Sequence, residues 1–251
     1  MTVFEYFGKC RDEVTKIHWL LSGLPAAQIP ARVLKAWEVG GLLTPAYTAN
    51  GEVAAWTNVI VHQVTAARLA FNLASALRQR FQLTLTETEE IIEAVLVHDF
   101  HKRLETGKIR AAQKIGGSVS EASVETELRS TQLLSGLGFS RNVISLVAAT
   151  GTNGVELMLF GQPSLGEKLV FYCGDCCVSG DQIMPYKKRF EAARIQYQPS
   201  GRYAGQDEEF GQKYGQGVID TYFLILEPLQ QQLAELLGFK DDPGKIPQHY
   251  S

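Results

Sequence analysis

The sequence predicts an all-α protein with helices along most of the chain. Two observations support this fold class. Apolar residues recur with a period of about 3.6 residues in most segments, whereas the alternation typical of strands is weak. A Ser or Thr followed three residues later by Glu, which is typical of helix N-termini, also precedes several of the apolar stretches.

The composition indicates a folded protein with no dominant surface charge. The chain has 251 residues, of which 45% are hydrophobic and 20% are charged, and its formal net charge is -3. These values argue against an intrinsically disordered chain. A charge this small creates no global attraction to nucleic acid or to an anionic membrane, so we expect neither as a partner. No repeat or Pro/Gly/Ser-rich linker divides the sequence, which predicts a single domain over residues 1–251.

The N-terminus and the cysteines predict a cytoplasmic protein. The first residues, MTVFEYFGKCRDE, carry charges where a signal peptide needs an apolar stretch, and no later segment reaches the roughly 18 apolar residues of a membrane span. The four cysteines are too few and too clustered for a secreted disulfide framework, so we expect reduced thiols. Cys173 and Cys176 have a C-x-x-C spacing, but a structural zinc site needs a second pair, which favours small core residues packed around Asp175.

Two helices are predicted in the first half of the chain. An amphipathic pattern over residues 55–77 indicates a central helix. Thr86 and Glu89 form a candidate capping box for the next helix, which continues through IIEAVLV and ends at His98 and Asp99. The second helix therefore ends on two side chains that can bind a metal.

Caps and glycines predict the remaining helices and loops. Ser or Thr caps and terminal glycines indicate helices from 118 to 136 or 138, over 140–149, over 164–180 and over 218–237, the last kinked at Pro228. Two irregular segments are expected, a loop over 107–117 bounded by glycines and a long excursion over 199–217 that is rich in Gly, Gln and charge.

His62, His98, Asp99 and Asp175 are the candidate metal-binding residues. His62 lies inside the apolar helix WTNVIVHQVTAARLAFNLA, His98 and Asp99 end the next one, and Asp175 follows a later apolar stretch. Burying an imidazole and a carboxylate is costly unless each has a partner, and a divalent metal satisfies both at once. Each residue by itself also fits a structural role, as a hydrogen-bonded core histidine or a helix-capping aspartate.

The order H…HD…D resembles that of the HD-domain superfamily of metal-dependent phosphohydrolases. The local contexts AVLVHDFHK and EKLVFYCGDCCVSGDQIMPYKKRF are similar to two helices of that family, and the resemblance covers about residues 50 to 195. It implies an HD-domain-like bundle of five or more core helices around one divalent metal. The predicted domain then has this core, an N-terminal helical extension over 1–49, and a C-terminal loop and helix over 196–251.

The resemblance implies that His62, His98, Asp99 and Asp175 are the metal ligands. Two imidazoles and two carboxylates suit Mn, Fe, Co, Ni or Zn better than Mg or Ca. Family members that bind two metals have further histidines between the His-Asp pair and the final aspartate, whereas this chain has only His101 there. A site for one metal is therefore favoured over a di-iron oxygenase or a two-metal phosphodiesterase.

Basic residues after the His-Asp pair are candidate substrate contacts. Lys102 and Arg103 begin a locally positive segment in a chain of net charge -3, and Arg189 matches a recurrent basic position of the family. We expect these three residues to bind phosphate. The candidate catalytic residues are Asp99, Lys102 and His101, and His101 could orient water or protonate the leaving group. A solvated helix face explains the more distal Lys108, Arg110 and Lys114 equally well, and His101 also fits a role as a hydrogen-bond partner of a ligand.

These observations predict a metal-dependent phosphohydrolase that uses a metal-activated water to cleave a phosphomonoester or a nucleotide. The alternative from another class is a non-catalytic HD-like module that binds a nucleotide or a protein partner. An iron-dependent HD-type oxygenase is the third hypothesis, and it requires ligands that the sequence lacks. The leaving group, the metal and homo-oligomerisation are left open.

Overall fold

Helices account for most of the structure, a computed structural model that describes residues 29–43, 46–47, 53–54 and 56–251. This confirms the predicted all-α fold class. Most of the N-terminal extension predicted over 1–49 lies outside the described residues, as does Cys10.

The helices alternate with short connections. Those in the N-terminal half are α1 (Ala31–Val39), α2 (Thr57–Gln79), α3 (Leu85–Val97), α4 (Lys102–Lys114) and α5 (Val119–Gly136). Those in the C-terminal half are α6 (Arg141–Ala148), α7 (Gly151–Phe160), α8 (Leu165–Phe171), α9 (Tyr186–Ala193), α10 (Gln206–Tyr214), α11 (Val218–Leu237) and α12 (Ile246–His249).

Short elements complete the described chain. A π-helical turn (Tyr172–Cys176) continues α8, and 3₁₀ turns cover Arg194–Tyr197 and Pro243–Lys245. Two antiparallel hairpins are formed by β1 (Ala46–Tyr47) with β2 (Val53–Ala54) and by β3 (Val178–Ser179) with β4 (Gln182–Ile183). The second hairpin ends the segment that was expected to be helical up to residue 180.

The central helix predicted over 55–77 is α2, and it forms an antiparallel pair with α3. Its side chains Leu69, Leu73 and Leu77 are fully buried, which is the result expected of a helix that is apolar on most faces. A connection over 80–84 reverses the chain, so the two helices pack along each other. The start of α2 therefore lies beside the end of α3.

The capping box of α3 lies two residues before the predicted one. Thr84, not Thr86, caps the helix: its side chain accepts from the Glu87 N–H at 3.2 Å, and the Glu87 carboxylate accepts from the Thr84 N–H at 2.8 Å. The T-x-x-E pattern occurs twice in overlap, at Thr84 and at Thr86, and the pattern alone does not distinguish them. Ser164 and Glu167 do form the full box predicted for α8.

Ser118 and Ser140 cap α5 and α6 as predicted. Gly151, the glycine expected to stop the helix over 140–149, lies at the start of the next helix instead. The Ser118 hydroxyl accepts from the Glu121 N–H, and the Ser140 hydroxyl accepts from the Val143 N–H. Helix α6 ends before Gly151, whose positive φ of 63° instead begins α7, a helix that sequence patterns did not reveal.

Both predicted loops were wrong, because each contains a helix. Gly107 lies exposed inside α4, and the helix continues through it despite the low helix propensity of glycine. The segment over 199–217 contains α10, which buries Phe210 and is bounded by Gly205 and Gly215 with φ of 92° and 77°. A glycine that ends a helix and one that lies within a helix have the same sequence signal.

Helix α11 contains Pro228 and continues through it, with Leu226, Leu229 and Leu233 in the core. Within the described part of the chain, no helix by itself has the length and apolarity needed to cross a membrane, although α6 and α7 pass that criterion as a pair bent by 86°.

Candidate metal centre

Three of the four predicted metal ligands converge at one point. His62 lies in the first turns of α2, and His98 and Asp99 directly follow α3. The antiparallel packing of α2 on α3 brings them together, and one ligand atom from each lies within 4.8 Å of the other two. Helix α3 ends at Val97 and a turn follows, and the adjacent side chains of His98 and Asp99 both contribute to this group.

The His98 imidazole is oriented as a metal ligand. Its Nδ1 lies 2.8 Å from the carbonyl oxygen of Val95, which is a pure acceptor, so Nδ1 carries the proton. Nε2 then presents a lone pair, and it is buried with no hydrogen-bond partner in the described part of the chain. A buried nitrogen of this kind is costly unless something binds it. Gly174 packs against the ring, where an added Cβ would lie 3.3 Å from Cδ2.

His62 and Asp99 have the protonation states that metal binding requires. Burial, together with the neighbouring His98, lowers the pKa of His62 to about 3, so its imidazole is neutral at physiological pH. Burial by itself raises the pKa of Asp99, but Lys102 and the imidazoles outweigh burial and hold that pKa well below its usual value. The site therefore offers the neutral imidazole of His62, the Nε2 of His98 and one carboxylate.

Asp175, the fourth predicted ligand, lines the same cavity but is not part of the group within 4.8 Å. It lies in the π-helical turn after α8, a geometry often found at functional sites. Its Oδ2 accepts a hydrogen bond from the Gly151 N–H at 2.8 Å. Burial raises the pKa of Asp175. One carboxylate oxygen is thus held by the start of α7, beside the three converging residues.

A cavity of about 380 Å³ opens onto these residues, and we call it the metal cavity. Its walls include His62, Asp99 and Asp175 together with basic and tyrosine side chains from α4, α9 and the segment after it. The cationic residues in its walls are Lys102, Arg189 and Arg202. The cavity therefore has acidic metal-binding groups and cations for an anionic ligand.

Lys102 and Arg189 occupy positions compatible with their predicted roles. The Lys102 ammonium lies 3.4 Å from Asp99 Oδ1 and 2.7 Å from Glu105 Oε2, and it lies over the Tyr203 ring at 5.7 Å. Burial lowers the pKa of Lys102, but the two carboxylates raise it further, so the group stays cationic. Arg189 donates from Nε to the Val178 carbonyl at 2.9 Å, which fixes the side chain beside the cavity.

Two predicted site residues point elsewhere. Arg103 donates from Nη1 to the Gly41 carbonyl at 3.0 Å and is absent from the walls of the metal cavity. His101 is buried and lines a separate cavity of about 60 Å³. Successive residues of a helix point about 100° apart, so Lys102 faces the metal cavity while its neighbours do not. The predicted phosphate contact of Arg103 and the predicted catalytic role of His101 do not fit these positions.

Glu127 is a buried carboxyl near the site that sequence reasoning missed. Its two oxygens accept hydrogen bonds from the N–H groups of Thr152 and Asn153 at 2.9 and 3.1 Å, at the start of α7. Burial, opposed by these bonds, raises the pKa of Glu127 to about 7. No motif surrounds it, because its position depends on how α5 packs against α7.

Glu127→Gln is expected to flatten the pH dependence of stability. The raised pKa means that between about pH 4.5 and 7 the folded protein holds a proton that the unfolded chain has lost, so stability falls as pH rises through this window. The loss from this group is about 3 kcal/mol. Urea unfolding at several pH values should show a shallower fall in the variant. Equal slopes in the two proteins would contradict the buried position of Glu127.

The cysteines near Asp175 are core residues, as predicted. Cys173, Cys176 and Cys177 are fully buried and form no disulfide, and burial raises the pKa of each thiol. A protonated, buried thiol is a poor metal ligand and a poor nucleophile. The C-x-x-C spacing therefore reflects packing.

Comparison of the chain with protein-family models, with curated proteins and with solved structures finds no match. Over residues 29–43, 46–47, 53–54 and 56–251, His62, His98 and Asp99 are the one group of three His, Cys, Asp or Glu side chains that could hold a metal ion. A function has to be inferred from these residues and the cavity beside them.

Proposed function

We propose that this chain is a metal-dependent phosphohydrolase of the HD type, cleaving a phosphomonoester or a nucleotide. The observation that carries the proposal is the buried Nε2 of His98, which has no hydrogen-bond partner among the described residues and lies within 4.8 Å of ligand atoms of His62 and Asp99. The sequence resemblance supports the same chemistry. A cytoplasmic location, inferred from the reduced cysteines, is part of the proposal.

The donor set fits one divalent transition metal. His62, His98 and Asp99 would hold the ion, with Asp175 beside them, and nitrogen donors favour Mn, Fe, Co, Ni or Zn. Such an ion supplies Lewis acidity, which polarises a phosphoryl oxygen and makes water a better nucleophile at neutral pH. A partly open cavity next to the ligands leaves room for substrate.

The basic side chains of the metal cavity supply the phosphate contacts. Lys102 and Arg189 lie on its walls, and Arg202 is exposed at the same cavity. Charge-assisted hydrogen bonds from these groups to phosphate oxygens would hold the phosphoryl group and stabilise its charge in the transition state. Asp99 positions Lys102 through their ion pair, which links the metal ligand to the phosphate contact.

Metal analysis and a substrate screen test the proposal. Protein purified without chelator is expected to contain about one transition metal per chain and to hydrolyse some members of a panel of nucleotides and sugar phosphates. Metal without hydrolysis would favour a non-catalytic binding module. About two irons per chain would favour an oxygenase, and the absence of metal after incubation with each of the five ions would refute the proposal.

Lys102→Ala is expected to raise KM for a phosphate ester about ten-fold, because it removes one charged hydrogen bond to the substrate. Metal content should stay unchanged, since Lys102 is not a ligand. Lys108→Ala is the matched control, because Lys108 lies in the same helix but pairs with Glu125 on the surface. The KM and kcat of this variant should equal those of the parent. Unchanged KM in Lys102→Ala would remove this residue from the site.

A further inference from the structure

A second cavity, of about 110 Å³, adjoins the metal cavity, and we call it the side cavity. The two cavities share walls formed by Lys102, Asp175, Arg189, Tyr197 and Tyr203. A phosphate ester bound at the metal and at Lys102 would therefore lie beside the side cavity. The part of such an ester nearest to this cavity would be the alcohol from which phosphate is cleaved.

The walls of the side cavity are polar and offer both donors and acceptors. Glu105 and Glu127 contribute carboxyl oxygens, and Ser123 donates to Glu105 Oε1 at 3.2 Å. The Gln206 side chain, which both donates and accepts, is 7% exposed and lines the same space. Burial raises the pKa of the wall tyrosine Tyr222, so its phenol keeps the proton and can donate.

Size and chemistry together restrict the occupant. At about 110 Å³ the side cavity has room for a short chain. The carboxyl groups of Glu105 and Glu127 already have partners in the protein, so an aliphatic chain would leave unmet only their remaining acceptor capacity and the Gln206 amide. Hydroxyl groups donate and accept at once, and each carboxylate oxygen keeps a free lone pair after its present hydrogen bond.

We propose that the side cavity binds the alcohol portion of the substrate and selects a short hydroxylated chain, as in a sugar or polyol phosphate. This inference rests on the proposed phosphohydrolase function and narrows its substrate class. Glu127 and Gln206 would act as specificity-determining residues, hydrogen-bonding the hydroxyl groups without contact with the phosphoryl group.

Calorimetry on the manganese-loaded chain tests the inference with two matched ligands, erythritol phosphate and n-butyl phosphate. They have the same carbon chain and differ in hydroxyl groups. We expect erythritol phosphate to bind at least about ten-fold more tightly, the effect of one or two additional hydrogen bonds. Glu127→Gln and Gln206→Met should each reduce this preference about five-fold or more while leaving the metal content unchanged.

Two variants are used because a substitution of Glu127 could disturb folding. Glu127 also holds the start of α7, whereas Gln206 does not. Equal affinity for the two phosphates, or a preference that both folded variants retain, would overturn the assignment of the side cavity and leave the phosphohydrolase proposal standing. Binding of neither phosphate would overturn both.

Discussion

His98→Ala is expected to lower the affinity of the chain for divalent metal at least about 100-fold and to abolish hydrolysis. Mutating a group that only supports a metal ligand typically costs 10–100-fold in affinity, and removing the ligand itself costs more. Among the residues that the structure describes, the buried Nε2 of His98 has no hydrogen-bond partner, so metal binding is the interaction that its removal is expected to eliminate. Asp99→Ala should have the same effect, because Asp99 contributes the one carboxylate of the converging group.

His249→Ala is the control for this experiment. His249 is exposed near the C-terminus, where it packs against Phe239 and Tyr250. The metal affinity and turnover of the His249→Ala variant should equal those of the parent. Metal content measured after dialysis, with circular dichroism to confirm folding, distinguishes ligand loss from unfolding. Full metal content in His98→Ala would refute its role as a ligand.

Gly40→Ala is expected to reduce the free energy of unfolding by about 3 kcal/mol. A Cβ at residue 40 would lie 1.8 Å from the carbonyl oxygen of Phe100, so the end of α1 would have to move away from the chain just after Asp99. Trp37 of α1 donates to the Leu96 carbonyl at 2.9 Å and is fully buried, and the displacement would strain this contact too.

Gly107→Ala is expected to have the opposite effect on stability. Gly107 lies exposed inside α4 with nothing within 4 Å of a Cβ, so alanine should stabilise the protein by about 0.5–1 kcal/mol through its higher helix propensity. Urea unfolding of both variants measures the contrast. Equal stability of Gly40→Ala and the parent would mean that α1 does not pack against the end of α3 as described.

The fold class was predictable because helix periodicity and caps are local. Ser140, and Ser164 with Glu167, cap helices where their patterns predict. The errors came from signals that have two meanings. Gly107 reads as a loop residue but is tolerated on an exposed helix face, and Gly205 marks the beginning of α10 within a segment that reads as irregular.

The site was predictable only in part. The order of His62, His98 and Asp99 along the chain predicts their convergence once two helices pair antiparallel, and the structure brings them together. Arg103 was misassigned because adjacency in sequence is not adjacency in space: it lies about one-quarter turn from Lys102 and reaches Gly41. Glu127 left no sequence signal, since only the packing of α5 on α7 gives it a role.

The central claim is that His62, His98 and Asp99 hold a single cation. A crystal structure of the full chain grown with manganese, with anomalous scattering recorded at the manganese edge, tests it most directly. We predict one anomalous peak per chain, bonded to Nε2 of His98, to His62 and to a carboxylate oxygen of Asp99, with Asp175 next to it. Manganese bound elsewhere, or no peak between α2 and the end of α3, would contradict the account.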